Sequence, residues 1–325
     1  MSLLADFAKE LTKLTGKEGV PVEILSTTAD VNEWISTGSI ALDYVLGGGI
    51  PVSRVVEIYG DSSTGKSLIA AQIAAEAQKS GFKVLYMDTE SAISKPILEA
   101  VGVDVDNILY TEPDTIEQVF KLMEGAIEIA QRGGDRLLII WDTIAATSTK
   151  SEMEKETGES VMGIHARLIS QGMRKITRTI NKQNVAVVCI NQTRQKLGVM
   201  FGDTTATFGG KAMEFYSSVR LKLNKGAKIK LDKDVIGHKT VIECVKNKVA
   251  PPFRHAEFII YFGNGIDDVE TTLELLKAKG VATGGTGGNY KLEIYEDESL
   301  SFKSSNWDTF FLAVKDDVRQ YLLGL

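Results

Sequence analysis

Residues 55–69 carry the clearest chemistry in the chain. An apolar run leads into Gly60, Asp61, Ser62, Ser63, Thr64, Gly65, Lys66 and Ser67, in the pattern G-x-x-x-x-G-K-S, and Leu68 then opens a segment of Leu, Ile and Ala. Strand, glycine-bounded loop and helix in that order make a P-loop. Gly60 and Gly65 are expected to take backbone angles that a Cβ forbids, so that the loop wraps a phosphate with its N–H groups inward. The helix starting near Lys66 adds the positive end of its dipole. Lys66 would reach the β- and γ-phosphates of a nucleotide, and the Ser67 hydroxyl would ligate Mg²⁺. Asp142 closes a second apolar run, 137–141, where a carboxylate would hold the Mg²⁺ through water. Hydrolysis also needs a base. Glu90 stands three positions beyond the apolar run 84–87, where it could orient and deprotonate a water, although an exposed loop glutamate reads the same way. Asn191 and Gln192 follow the run 185–190, and a side-chain amide there could touch the γ-phosphate.

These groups all need a scaffold that brings strand ends together. The runs at 55–59, 84–87, 137–141 and 185–190 are apolar at every position and alternate with helical segments. That pattern belongs to an α/β fold with a mostly parallel sheet covered on both faces. Residues 219–223, 239–245 and 256–261 then follow one another with turns between, as antiparallel strands extending the sheet. At the N-terminus Leu3, Phe7, Leu11 and Leu14 share one helical face, Gly16 and Gly19 end it, and Val22 to Ile24 alternate like a short strand. This gives an N-terminal helix-strand arm at 1–34, a core at 35–265 and a small C-terminal α+β domain at 266–325. Two polar segments interrupt the core, 150–160 with four glutamates and 193–210 with four glycines. Loops of such length inside a compact domain are usually functional.

Composition narrows the class. At 325 residues and 43% hydrophobic the chain can bury a large core, and no apolar run reaches membrane-spanning length. Cys189 and Cys244 lie in β-like apolar runs and read as buried free thiols of a reducing, cytoplasmic compartment. The three histidines stand far apart, outside any metal-ligand pattern. The net charge of −6 hides an asymmetry: residues 160–257 hold 18 Lys and Arg against 6 Asp and Glu, and residues 266–325 hold 6 against 11. A polyanion would meet the basic middle, unless these are solvated surface charges.

Longer stretches are more specific than the P-loop. Val-Glu-Ile-Tyr-Gly at 56–60, Met-Gly at 162–163, Ser-Gln-Gly-Met-Arg-Lys at 170–175 and Ile-Asn-Gln at 190–192 resemble the RecA family of homologous-recombination ATPases. So do Gly-Val-Met-Phe-Gly at 198–202, Phe-Tyr-Ser-Ser-Val-Arg-Leu at 215–221 and Val-Lys-Asn-Lys at 245–248. The resemblance implies a RecA-type P-loop ATPase core and a helical filament of subunits on single-stranded DNA. It also implies pairing with homologous double-stranded DNA, with ATP at each subunit interface. It casts Glu90 as the catalytic glutamate, Gln192 as the γ-phosphate sensor, and Lys246 and Lys248 as lysines that reach a neighbour's ATP. Phe262 joins the nucleotide-binding set. Residues 150–160 and 193–210 become the DNA loops, with Met162, Arg167, Ser170, Arg174, Arg194, Lys196, Gly209, Gly210 and Lys211 on the DNA. Phe215 becomes a residue that couples subunits. The residues of the arm suit packing on its own core or on a neighbouring subunit, with the first slightly favoured; the resemblance docks it on the next subunit.

Departures from the family pattern also matter. Ile97 and Ser94 replace a tyrosine and an aspartate beside the base, which implies looser base selectivity. Val241 and Glu243 replace basic residues of the second DNA site, leaving Lys222, Lys225 and Lys228 to serve it, and Lys211 replaces an asparagine. These point to a divergent bacterial or phage-encoded member. Two rival readings share the core, a ring-shaped helicase-type motor and an assembly protein clamped by ATP without turnover. Lys246 and Lys248 argue against the first, Glu90 and Gln192 against the second.

Overall fold

A computed structural model describes residues 3–14, 22, 31, 33–154, 163–181, 183–195, 205–262, 264–295 and 299–324. Two compact units result, Met1–Asn32 and Glu33–Leu325. In the first, α1 (Leu3–Leu14) carries Phe7 and Leu14 exposed. The strand expected at 22–24 lies outside the described residues apart from Val22.

The second unit opens with β1 (Trp34–Ile35), α2 (Ile40–Leu46) and β2 (Ile50–Pro51), then β3 (Val55–Gly60) and α3 (Lys66–Lys79). Ser39 caps α2 through its side chain, and Gly47 ends it at φ 84°. Next come β4 (Lys83–Asp88), α4 (Lys95–Ala100), β5 (Ile108–Thr111), α5 (Ile116–Gly133) and β6 (Leu137–Asp142). A capping box of Thr115 and Gln118 starts α5, and Gly134 stops it at φ 69°. Then follow α6 (Lys150–Glu154), α7 (Ile164–Thr179), β7 (Val185–Gln195), β8 (Thr205–Thr207), α8 (Lys211–Tyr216), β9 (Val219–Leu231), β10 (Asp234–Asn247), β11 (His255–Tyr261) and β12 (Gly265–Ile266). The chain finishes with α9 (Asp268–Ala278), β13 (Ala282–Gly284), β14 (Asn289–Leu292), β15 (Leu300–Lys303) and α10 (Trp307–Gly324).

The central sheet has the order β12-β11-β10-β9-β3-β7-β6-β4-β5. Pairs from β9 to β5 are parallel, and β9 to β12 are antiparallel. Alternating side chains feed two apolar layers. Ile58, Tyr86, Ile140 and Val188 lie in the first, with α3. Met87, Ile139, Trp141 and Cys189 lie in the second, with α5, α7 and Met213 of α8. Both cysteines are buried and free.

Several segments differ from the sequence expectation. Segment 193–210 is no loop throughout: Thr193–Gln195 prolongs β7, and β8 pairs back onto it antiparallel, Thr193 opposite Thr207. Segment 150–160 begins as α6 rather than as loop. Strands β9 and β10 form a hairpin far longer than the apolar stretches 219–223 and 239–245, because its outer half is mostly polar and residues 224–231 of β9 are largely exposed. The C-terminal segment has a sheet of its own, β13-β14-β15, yet Leu292, Phe302, Trp307 and Leu322 continue the first apolar layer that begins at Ile35.

Candidate functional site

Parallel strands aligned at their C-terminal ends place loops from β3, β4, β6 and β7 side by side. They border a cleft of about 340 Å³ whose lining includes Ser62, Lys66, Ser67, Glu90, Asp142 and Gln192. Ser63, Gly65, Leu68 and Thr143 line it too. Gly65 sits at φ 91°, as expected of the loop. Gly60 does not have a positive φ; a Cβ there would stand 2.4 Å from the Leu223 carbonyl oxygen, so close approach of β9 requires the glycine. The other left-handed position of the loop is Ser63, at φ 60°. Thr64 is buried, and its hydroxyl donates to the Asp61 carbonyl at 3.0 Å. Asp61 is exposed and accepts the Thr193 hydroxyl, which ties the P-loop to the extension of β7.

Lys66 is 7% exposed and donates to the Asp61 carbonyl at 2.7 Å. Burial pushes its ammonium pKa down, against the pull of the Asp142, Glu90 and Asp61 carboxylates. Asp142 is buried at the end of β6 and accepts hydrogen bonds from Tyr86 at 2.8 Å and from Ser67. Burial raises its pKa to about 6 despite those two donors, and the charges of Asp88 and Glu90 add to the rise. The Ser67 hydroxyl and the Asp142 carboxylate, side by side in the cleft, are oxygen donors of the kind that suits Mg²⁺. Gln192 donates to the Glu90 carboxylate at 2.5 Å, joining residues 102 positions apart.

Asn191 does not share that role. It is fully buried on the opposite face, donating to Glu57 at 2.9 Å and to the Phe208 carbonyl at 3.0 Å. Strand alternation separates the two amides, so only Gln192 faces the cleft. Glu57, also fully buried, pairs with Arg220 at 2.5 Å. Burial raises its pKa, with Arg220, Asn191 and Thr207 opposing. Phe262 is exposed and lies outside the cleft lining; His238 stands beside it, ring centroids 5.7 Å apart, next to Gly65.

Lys246 and Lys248 lie away from the cleft, at the other end of the sheet. Strand β10 runs beyond the expected 245 to Asn247, stopping short of Lys248, and a bulge falls between Cys244 and Lys246. The bulge turns Lys246 away from the side of buried Cys244 and toward Arg220 and Glu57. Its ammonium donates to the carbonyls of Glu214 and Phe215. Burial, then the charges of Lys248 and Arg220, lower its pKa to about 8.

On α7 the buried Ile169, Met173 and Ile176 leave Arg167, Arg174 and Arg178 on the exposed side, with Ser170 partly exposed. Gly209 and Gly210 lead into α8 at φ 82° and 63°, packed against Ile169 and Ala166. Lys211 is exposed at the start of α8. Arg174 donates to the Tyr216 hydroxyl at 3.0 Å, which lowers the Tyr216 pKa. Arg194 stacks over Phe208 at 5.3 Å. Met162 and Lys196 lie outside the described residues.

Sequence reasoning missed Tyr86, Asp88, Thr193, Tyr216 and the Glu57–Arg220 pair. Tyr86 and Asp88 were findable: both precede Glu90 at two-residue spacing, on the face of β4 that also meets Asp142.

Comparison with known proteins then decides the family. The model of the RecA N-terminal domain matches residues 3–267. A protein named Protein RecA from Clostridium novyi is 45% identical over 295 residues, which is 89% of this chain and 78% of that protein. The chain belongs to the RecA family. Two further proteins named Protein RecA are similar: that of Geobacter sulfurreducens is 46% identical over 76% of this chain and 72% of its own length. That of Thioalkalivibrio sulfidiphilus is 41% identical over 88% and 81%. RecA-family proteins are DNA-dependent ATPases of homologous recombination, and this chain is one. Among the described residues, no helix is long and apolar enough to cross a membrane.

Proposed function

We propose that ATP binds with its phosphates in the cleft between β3, β4, β6 and β7, and that its hydrolysis drives strand exchange on single-stranded DNA. The observation that carries this reading is the convergence of Lys66, Ser67, Asp142, Glu90 and Gln192 on one cleft. Lys66 turns from the Asp61 carbonyl to the β- and γ-phosphates. Ser67 and Asp142 would hold Mg²⁺, which would supply positive charge to offset that of the phosphates. Glu90 accepts a proton from the attacking water, and Gln192, hydrogen-bonded to Glu90, senses the γ-phosphate. Because Gln192 leads directly into the ribbon of β7 and β8, its position is passed to the segment that meets DNA.

Arg167, Arg174, Arg194 and Lys211, with the backbone of Gly209 and Gly210, form the path for single-stranded DNA. Contacts to phosphates give binding that is largely independent of sequence, and base pairing with a homologous duplex supplies the recognition. Subunits assemble into a filament in which Lys246 and Lys248 face the ATP of the neighbour and the N-terminal arm docks on the next subunit. The test is DNA-stimulated ATPase of purified Lys66→Ala, which should fall to background. No other cation lines the cleft among the described residues. Turnover equal to the wild type would refute the assignment.

A further inference from the structure

Asp88 ends β4 and is 1% exposed. Its Oδ1 accepts the N–H of Glu90 at 3.1 Å, and its Oδ2 accepts the N–H of Ile93 at 3.0 Å and the hydroxyl of Tyr110 at 3.1 Å. This carboxylate thus holds the turn that carries Glu90, a turn in which Ser91 takes the left-handed φ of 51°. Tyr110 lies on β5, the outermost strand of the sheet, in register with Tyr86 of β4. The Tyr110 oxygen is also 2.8 Å from Oε1 of Glu112, which is exposed. A phenol carries one proton, so Tyr110 can donate to Asp88 or to Glu112 but not to both.

We propose that Tyr110 is a positioning residue for Glu90, acting through Asp88, and that Glu112 competes for its proton. Donation to Asp88 completes the set of three donors around that carboxylate and fixes the turn. Donation to Glu112 leaves two buried carboxylate oxygens with one backbone donor each, and the turn is held less firmly. The inference rests on reading Glu90 as the base. A plain packing role for Tyr110 would not involve its hydroxyl, and so separates from this one by removing a single oxygen.

The experiment measures DNA-stimulated ATPase of the full chain, with Tyr110→Phe, Glu112→Ala and Glu90→Gln alone and combined. In Tyr110→Phe, kcat should fall about tenfold, the scale expected for one hydrogen bond to a charged group. KM for ATP should stay within about twofold, because neither Tyr110 nor Asp88 lines the phosphate cleft. Glu112→Ala releases the proton to Asp88 and should give a kcat at or above wild type. In the Glu90→Gln background, Tyr110→Phe should cost nothing further, since no base remains to be placed. Wild-type kcat in Tyr110→Phe, or a further tenfold loss in the Glu90→Gln background, would overturn the proposal. Wild-type turnover in Glu90→Gln alone would instead remove the reading of Glu90 and the proposal with it. If Tyr110→Phe melts below the assay temperature, Glu112→Ala decides: a reduced kcat overturns the proposal and an equal or higher one supports it.

Discussion

Lys246 and Lys248 give the sharpest test of how ATP would join two subunits. Lys246 is in register with Arg220, and Arg220 with Glu57, so it lies two strands from β3 and three residues below Gly60. At about 3.3 Å per residue and about 4.8 Å per strand spacing, its Cα lies about 14 Å from that of Gly60. Its ammonium is held by the Glu214 and Phe215 carbonyls, on the far side of the sheet end from the P-loop. A four-carbon stem cannot bring it to a phosphate bound by its own Lys66. The perturbation is to mix Lys66→Ala subunits with Lys246→Ala/Lys248→Ala subunits, each inactive alone. In a head-to-tail filament only one ordered pairing unites an intact P-loop with intact lysines. At equal proportions, random assembly makes about a quarter of interfaces active, so ATPase should return to about a quarter of wild type and decline on either side of that ratio. The assay is ATP turnover on single-stranded DNA across mixing ratios, with co-assembly followed by electron microscopy. If mixed filaments form and every ratio stays inactive, the lysines do not act across the interface.

Three further outcomes are expected. Because the Lys246 pKa is lowered from 10.5 to about 8, the folded chain releases that proton before the unfolded chain does. Stability should therefore rise with pH between about 8 and 10.5 in wild type relative to Lys246→Met; parallel melting curves across that window would refute the shift. Arg174→Ala should weaken single-stranded DNA binding and flatten its log–log salt slope by about 0.7, whereas Tyr216→Phe, which keeps the charge, should leave the slope unchanged. Fluorescence anisotropy over a salt series checks this, and an unaltered slope in Arg174→Ala would move the DNA path elsewhere. Arg220→Ala leaves Glu57 buried without its cation and should cost about 3–5 kcal/mol in urea unfolding, while Glu57→Leu/Arg220→Leu should cost less. A double variant no more stable than the single would show that the pair contributes shape rather than charge.

The chain by itself determined the elements whose cause is local. The P-loop was legible because phosphate binding requires contiguous residues, and Asp142 because it closes an apolar run. The parallel sheet was legible because strands buried on both faces are apolar at every position, as at 137–141 and 185–190. The family-specific stretches suggested residue roles that periodicity could not supply, such as those proposed for Gln192 and Arg174. Polar strands left no such trace: the outer half of the β9–β10 hairpin and the short β8 are strands only because a partner supplies their hydrogen bonds.

Tertiary structure alone decided which polar groups meet. Glu90 and Gln192 are separated by 102 residues, and Glu57 and Arg220 by 163. Nothing in either neighbourhood of the chain encodes the other; strand order and register bring them together. The same holds for Asn191 and Gln192, where two adjacent amides were separated by the alternation of β7 into a buried network and an open cleft. One extra residue in β10 likewise turned Lys246 from one face of the sheet to the other. A local pattern fixes what an element is, because its cause lies within one turn or one pleat. Which face a side chain serves depends on pairing with distant strands, and a shift of one residue reverses it.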